Sequence, residues 1–203
     1  MQMKTSTWIK NILFFMVIGL FALTHPATAD NNNVTADAFL KNKLDQVFKV
    51  LQKTDVEQQE KSKEIVEIVS PMFDFQLMAR LSLGKQQWTK LSEENREKFT
   101  ELFVGRLRQS YLNKITAYTD ETINYESPVH VNGKIHIPTH LVSKGSKISM
   151  LYKFYQSNGQ WKIYDLEIQG VSIIRSYQSQ FKEILQNGTF DDLLQKMEKP
   201  AND

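Results

Sequence analysis

The apolar residues of this chain change their spacing twice. As far as Tyr118 they recur every three or four positions, from Glu121 to Ile168 they alternate with polar ones, and beyond Gly170 the wider spacing returns. One face of a helix repeats every 3.6 residues and one face of a strand every two, so each change of period marks a change of element. Strands that follow one another without helices between them join by short hairpins and run antiparallel. The expected class is α+β: N-terminal helices, a four-stranded antiparallel sheet and C-terminal helices in one domain.

Leu40, Leu44, Val47, Phe48 and Leu51 lie on one face of a first helix. Asp55 is expected to cap a second helix that runs to Ile68-Val69 and stops before Pro71, whose ring forces its predecessor out of the helical region. Asp74 caps a short helix with Phe75, Met78 and Leu81 inward, ended by Gly84. Ser92 caps the longest helix, with Glu93 and Glu94 in the first turn where the helix dipole favours anions. Phe99, Leu102, Phe103, Leu107, Tyr111, Ile115 and Tyr118 form its apolar stripe.

In the alternating part, Ile123, Tyr125, Ser127 and Val129 share one parity, as do Ile135, Ile137, Thr139 and Leu141. A two-residue turn at Asn132-Gly133 pairs His130 with Ile135 and mixes polar with apolar positions. A three-residue loop, Val131 to Gly133, pairs Val129 with Ile135, keeps both apolar sets together and is the expected form. Pro138 marks an edge position or a bulge. Strands over residues 147–156 and 161–168 follow, joined at Asn158-Gly159, and carry apolar residues on both faces. After a glycine corner at Gly170, one helix carries Val171, Ile173, Ile174, Tyr177 and Phe181 and ends at Gly188. Thr189 and Asp192 then open a last helix in the manner of a capping box.

The N-terminus carries Lys4 and Lys10, an apolar run from Ile12 to Leu23, the break His25-Pro26 and the small-x-small triplet Ala27-Thr28-Ala29. This is the pattern of a cleaved secretory signal peptide over residues 1–29, since a bilayer span needs about 20 apolar residues. It places residues 30–203 outside the cytoplasm. The chain has no cysteine. It therefore has neither a disulfide framework nor a lipoprotein acylation site, and its stability has to come from its core. Taking Lys4 and Lys10 from the 25 basic residues leaves 23, equal to the 23 acidic ones. Such a balance argues against a nucleic-acid partner, which would call for a basic stripe.

Catalytic signals are weak. His136 and His140 share a parity on one strand, with His130 near the loop, but no cysteine or carboxylate cluster completes a zinc site. Asp165 is the one acid in an otherwise aromatic and apolar strand segment, Tyr164 to Leu166. Buried, it would act as a general base with a raised pKa. The structural alternative is an acceptor for backbone or for Arg80 or Arg175, fixing the turn into the next helix. No phosphate-binding glycine loop, serine elbow or HExxH motif is present.

Two blocks resemble the MlaC family, also called toluene-tolerance proteins. The first is Ala79-Arg80, Leu83-Gly84, Trp88, Leu91-Ser92, Phe99, Phe103, Leu107 and Tyr111. The second is Trp161, Tyr164-Asp165, Gly170-Val171-Ser172, Tyr177 and Phe181, then Gly188 and Leu193-Leu194. The resemblance implies a non-enzymatic periplasmic carrier, a monomer, that moves phospholipid between the inner and outer membranes and so maintains outer-membrane lipid asymmetry. Its acyl chains would sit in a deep apolar cavity between sheet and helices. The implied cargo is the phospholipid itself, with no cofactor and no metal. The implied partners are an inner-membrane ABC transporter complex and an outer-membrane lipoprotein–porin complex. The expected lining takes Phe75 and Met78 from the short helix and Phe99, Phe103, Leu107 and Tyr111 from the long one. Met150, Tyr152, Phe154 and Tyr164 come from the strands, and Val171, Ile174 and Tyr177 from the segment after Gly170. Two other readings stay open: a small-substrate enzyme using Asp165 with a histidine, and a ligand-free adaptor with a filled core.

Overall fold

The computed structural model describes residues 34–115, 122–143 and 145–199. The expectations for the signal peptide and polar start (residues 1–33), for Tyr118 and for residues 200–203 lie outside them. Helix starts follow the capping chemistry at three of four sites. Asp74 Oδ1 accepts the Leu77 N–H at 2.8 Å, Ser92 Oγ accepts that of Asn95 at 3.2 Å, and Thr189 with Asp192 completes the reciprocal box. The fourth differs. Asp55 takes its hydrogen bond from the Thr54 hydroxyl, and the helix begins three residues later without a side-chain cap.

The helices are α1 Ala36–Leu51, α2 Gln58–Val69, α3 Phe75–Leu83, α4 Lys85–Trp88, α5 Glu93–Ile115, α6 Ile173–Asn187 and α7 Phe190–Glu198. The second helix ends before Pro71 as expected, but Ser70 ahead of the proline stays helical at φ −55° and ψ −41° and opens the 3-10 turn Ser70–Met72, so the ring does not force its predecessor out of the helical region. The strands are β1 Thr122–Tyr125, β2 Val129–Val131, β3 Lys134–Ser143, β4 Ser146–Ser157, β5 Gln160–Ile168 and β6 Val171–Ser172. They form one antiparallel sheet in the order β1-β3-β4-β5-β6, with β2 also on β3.

The sheet has six strands among the described residues where four were expected, because the first expected strand is broken and a two-residue strand follows Gly170. The break is at Glu126-Ser127-Pro128. Before it Ile123 pairs with Leu141 and Tyr125 with Thr139; after it Val129 pairs with His136 and His130 with Ile135. One extra residue has entered the first strand, and its parity flips. The expected three-residue loop is therefore corrected to a two-residue turn, with Asn132 and Gly133 at φ 49° and 74°. The cause is local. The Glu126 N–H reaches the Pro138 carbonyl at 3.0 Å, and Pro138 has no N–H to return, so the ladder cannot continue in register. Val129, expected inward, is exposed as a result.

A second bulge shapes β5. Lys153 pairs with Asp165 but Phe154 pairs with Ile163, which leaves Tyr164 as the extra residue. The inner sheet face then carries Ile137, Tyr152, Phe154, Ile163 and Leu166, all buried against the helices. At one end of this core Phe99 and Phe103 of α5 meet Tyr177 and Phe181 of α6, with ring centroids 5.2 to 6.4 Å apart. Val47, Val50 and Leu51 of α1 pack with Ile65 of α2 as a separate apolar cluster.

Candidate functional site

Ala36 and Leu40 at the start of α1 join the main core while Val47, Val50 and Leu51 pack with Ile65 of α2, and the helices do not fill the space above the inner sheet face. A cavity of about 450 Å³ remains there. Ile123 of β1 and Leu141 of β3 line it, with Ile148, Met150 and Tyr152 of β4 and Leu166 and Ile168 of β5. Val47, Leu51, Ile65 and Val69 line it from α1 and α2, Phe75 and Met78 from α3, and Leu107 and Tyr111 from α5. Ile173 and Ser176 belong to α6. Arg108 and Val171 are the two lining residues that are exposed, and they mark where the cavity meets water.

The interior holds few polar groups. Tyr152 is buried, its hydroxyl donates to the Met150 sulfur at 3.8 Å, and burial raises its pKa. Burial also raises Tyr111, and pushes nearby Tyr125, on the same sheet face, up to about 12. All three are neutral phenols at ordinary pH. Thr139, beside Tyr125 on that face, has a buried hydroxyl with no hydrogen-bond partner among the described residues. Arg108 is the one lining side chain among the described residues that carries a charge.

Of the residues expected to line such a cavity, the fold brings Phe75, Met78, Leu107, Tyr111, Met150, Tyr152 and Val171 together around it. Six lie elsewhere. Phe99, Phe103 and Tyr177 form the aromatic core with Phe181, one to two turns along their helices from the cavity. Phe154 is buried edge-on to Phe39 of α1, 6.3 Å between centroids. Ile173 takes the cavity position instead of Ile174, because β6 inserts two extended residues before the helix starts. Tyr164 has the parity of Leu166 and Ile168, yet the bulge turns it to the opposite face. There its hydroxyl meets His136 Nε2 at 3.0 Å and the Lys134 ammonium lies over its ring. The expected lining lacked the α1–α2 wall and, from the sheet, Ile123, Leu141, Ile148, Leu166 and Ile168. Parity with Met150 was the signal for Ile148.

The outer sheet face carries the charges. Asp165, buried, accepts the Ile174 N–H on Oδ1 at 3.3 Å, and on Oδ2 the Ser172 hydroxyl at 2.8 Å and the Lys153 ammonium at 3.0 Å. It thus ties β5 to the start of α6, with Lys153 as partner rather than the expected arginines. Arg175 bonds Glu167 instead, at 2.9 Å. Burial opposes the charge on Lys153, but the Glu167 and Asp165 carboxylates outweigh it and hold its pKa above the ordinary value. His140 bonds Glu126 and Ser149, while His130 is exposed. Among the described residues no three His, Cys, Asp or Glu side chains gather as metal ligands would. A smaller recess of about 280 Å³, between Asp74, Arg80, Trp88 and Tyr155, is open and polar.

The sequence profile of the family described as MlaC protein matches residues 41–199. The intermembrane phospholipid transport system binding protein MlaC of Haemophilus influenzae is 30% identical over 117 residues, 55% of this chain and 55% of that protein. The match thus spans about half the length of that relative. Among solved structures, the phospholipid-binding protein from Ralstonia solanacearum in complex with a phospholipid superposes with a TM-score of 0.72. The identity is 21%, over 80% of this chain and 94% of that one, and at that identity the likeness is one of fold.

Proposed function

This chain is a member of the MlaC family, and from that premise we propose that it is a phospholipid carrier of the bacterial periplasm. In this reading residues 1–29 are removed on export and residues 30–203 form the lipid-binding domain, acting as a monomer. The protein exchanges lipid with an inner-membrane ABC transporter complex and an outer-membrane lipoprotein–porin complex. The traffic maintains the lipid asymmetry of the outer membrane.

The observation that carries the reading is the cavity: a largely apolar space between the inner sheet face and the helices, with Arg108 and Val171 exposed at its edge. Each methylene moved out of water contributes about 0.8 kcal/mol, so a two-chain lipid with some 30 methylenes would need about 24 kcal/mol to cross unprotected. That exceeds the practical limit of non-covalent affinity, roughly 18–21 kcal/mol. The relevant balance is cavity against bilayer, two apolar environments of similar free energy. Small differences in contact at each docking partner then load or unload the cargo. No bond is broken, and the work is done by shape and apolar lining.

Filling the space tests this. Ile168→Trp puts an indole into the cavity from β5. The wild-type protein is expected to take phospholipid from vesicles and the variant to lose most of that uptake while keeping its far-UV circular dichroism. Equal uptake by a correctly folded variant would refute the cavity as the lipid site.

A further inference from the structure

Arg108 stands apart from the other described residues around the cavity. Among the described residues it is the single lining side chain with a formal charge, and no described aspartate or glutamate lines the space with it. Among the described residues no hydrogen bond or ion pair commits its guanidinium, and it is exposed. Arg106, two residues earlier on α5, is committed to the fold. Its Nε donates to the Met197 carbonyl at 3.0 Å and its Nη2 to that of Lys196, fastening α7. Lys98 on the same helix pairs with Glu198 of α7. Arg108 lines the cavity beside Leu107 and Tyr111 and is itself exposed, which puts it at the rim.

We infer that Arg108 is the phosphate-binding residue of the carrier, holding the phosphodiester of a glycerophospholipid at the mouth while the acyl chains fill the cavity below. The inference rests on the carrier reading and deepens it. Guanidinium presents paired N–H donors in a fork that matches two phosphate oxygens. A cation at the rim of a space whose other described lining residues are neutral gives the ligand a direction, tails inward and head outward. It selects for the phosphate that all glycerophospholipids share, whatever alcohol follows it. A neutral diacylglycerol would enter by its tails alone and gain nothing from Arg108.

The test compares the ratio of phosphatidylglycerol to diacylglycerol taken from mixed vesicles by the wild type, Arg108→Gln, Arg108→Glu and Lys98→Gln. Lys98→Gln removes one positive charge from the same helix outside the cavity. The ratio is expected to fall roughly three- to tenfold in Arg108→Gln, the range of a charge-assisted hydrogen bond discounted for exposure. It should fall further in Arg108→Glu and stay unchanged in Lys98→Gln. Diacylglycerol uptake should be equal in all four, which also reports that the variants are folded. Excess inorganic phosphate should leave wild-type loading unchanged, because the tails supply most of the affinity.

An unaltered ratio in Arg108→Glu overturns the inference and leaves the carrier reading standing. So does an equal loss of both lipids, which would make Arg108 a structural residue, or competition by inorganic phosphate, which would make it a free-anion site. If the wild type loads neither lipid, the inference falls together with the reading it rests on.

Discussion

Replacing Asp165 with asparagine separates a structural carboxylate from a catalytic one. The side chain is 8% exposed and accepts three hydrogen bonds, from Ser172, Lys153 and the Ile174 N–H. Asparagine keeps one acceptor and turns its NH₂ toward a donor. Breaking a buried ion pair costs about 3–5 kcal/mol when the partner is left alone. Lys153 is not left alone, because Glu167 remains 2.5 Å from its Nζ, so the expected loss is smaller, about 2–3 kcal/mol. For a domain of this size that lowers Tm by about 5–10 °C. Urea unfolding should show a lower midpoint with an unchanged m value. Phospholipid uptake per folded molecule should be retained, since Asp165 faces away from the cavity. Asp165→Asn with wild-type stability and abolished uptake would refute the reasoning and make Asp165 a functional group again.

Thr139→Val should stabilise the protein by about 1 kcal/mol, because it removes a buried hydroxyl that has no partner among the described residues and keeps the shape. A lower urea midpoint would contradict this. His136 gives a pH dependence. Burial, helped by Lys153 and Lys134, holds its pKa below 6.5, and Glu167 and Asp165 only partly oppose the shift. The unfolded chain then binds the proton more readily than the folded one. The stabilising contribution is complete above pH 6.5 and is lost as pH falls through the lower folded value. His136→Gln should flatten the slope of the urea midpoint in that range. An unchanged slope would exclude His136 as its source. Glu167 acts lower: burial opposes its charge, Lys153 and Arg175 outweigh burial, and its contribution is lost only below pH 4.5.

The period changes, the caps at Asp74, Ser92 and Thr189 and the inward face of β4 were legible because each depends on residues a few positions apart. The site was legible in part, and its failures have one kind of cause. Tyr164 was placed by counting along β5, but the bulge that turns it outward is set by pairing with β4, a relation between distant residues. The same holds for Val129 and the break opposite Pro138. Phe99 and Phe103 carry the same apolar signal as Leu107 and Tyr111 on one helix stripe. Which of them meet other rings and which meet empty space depends on where α6 crosses. A cavity is a place where side chains fail to meet, and no spacing rule encodes that. Arg108 escaped notice because an exposed arginine on a helix is ordinary until its neighbours are known to line a cavity.

If the protein is a lipid carrier, the space above the inner sheet face holds lipid tails. Native mass spectrometry of the protein purified from a bacterial periplasm, followed by lipid extraction, tests this most directly. One phospholipid molecule is expected, bound in stoichiometric amount and released on unfolding. Bare protein that also accepts no phospholipid from vesicles would contradict it.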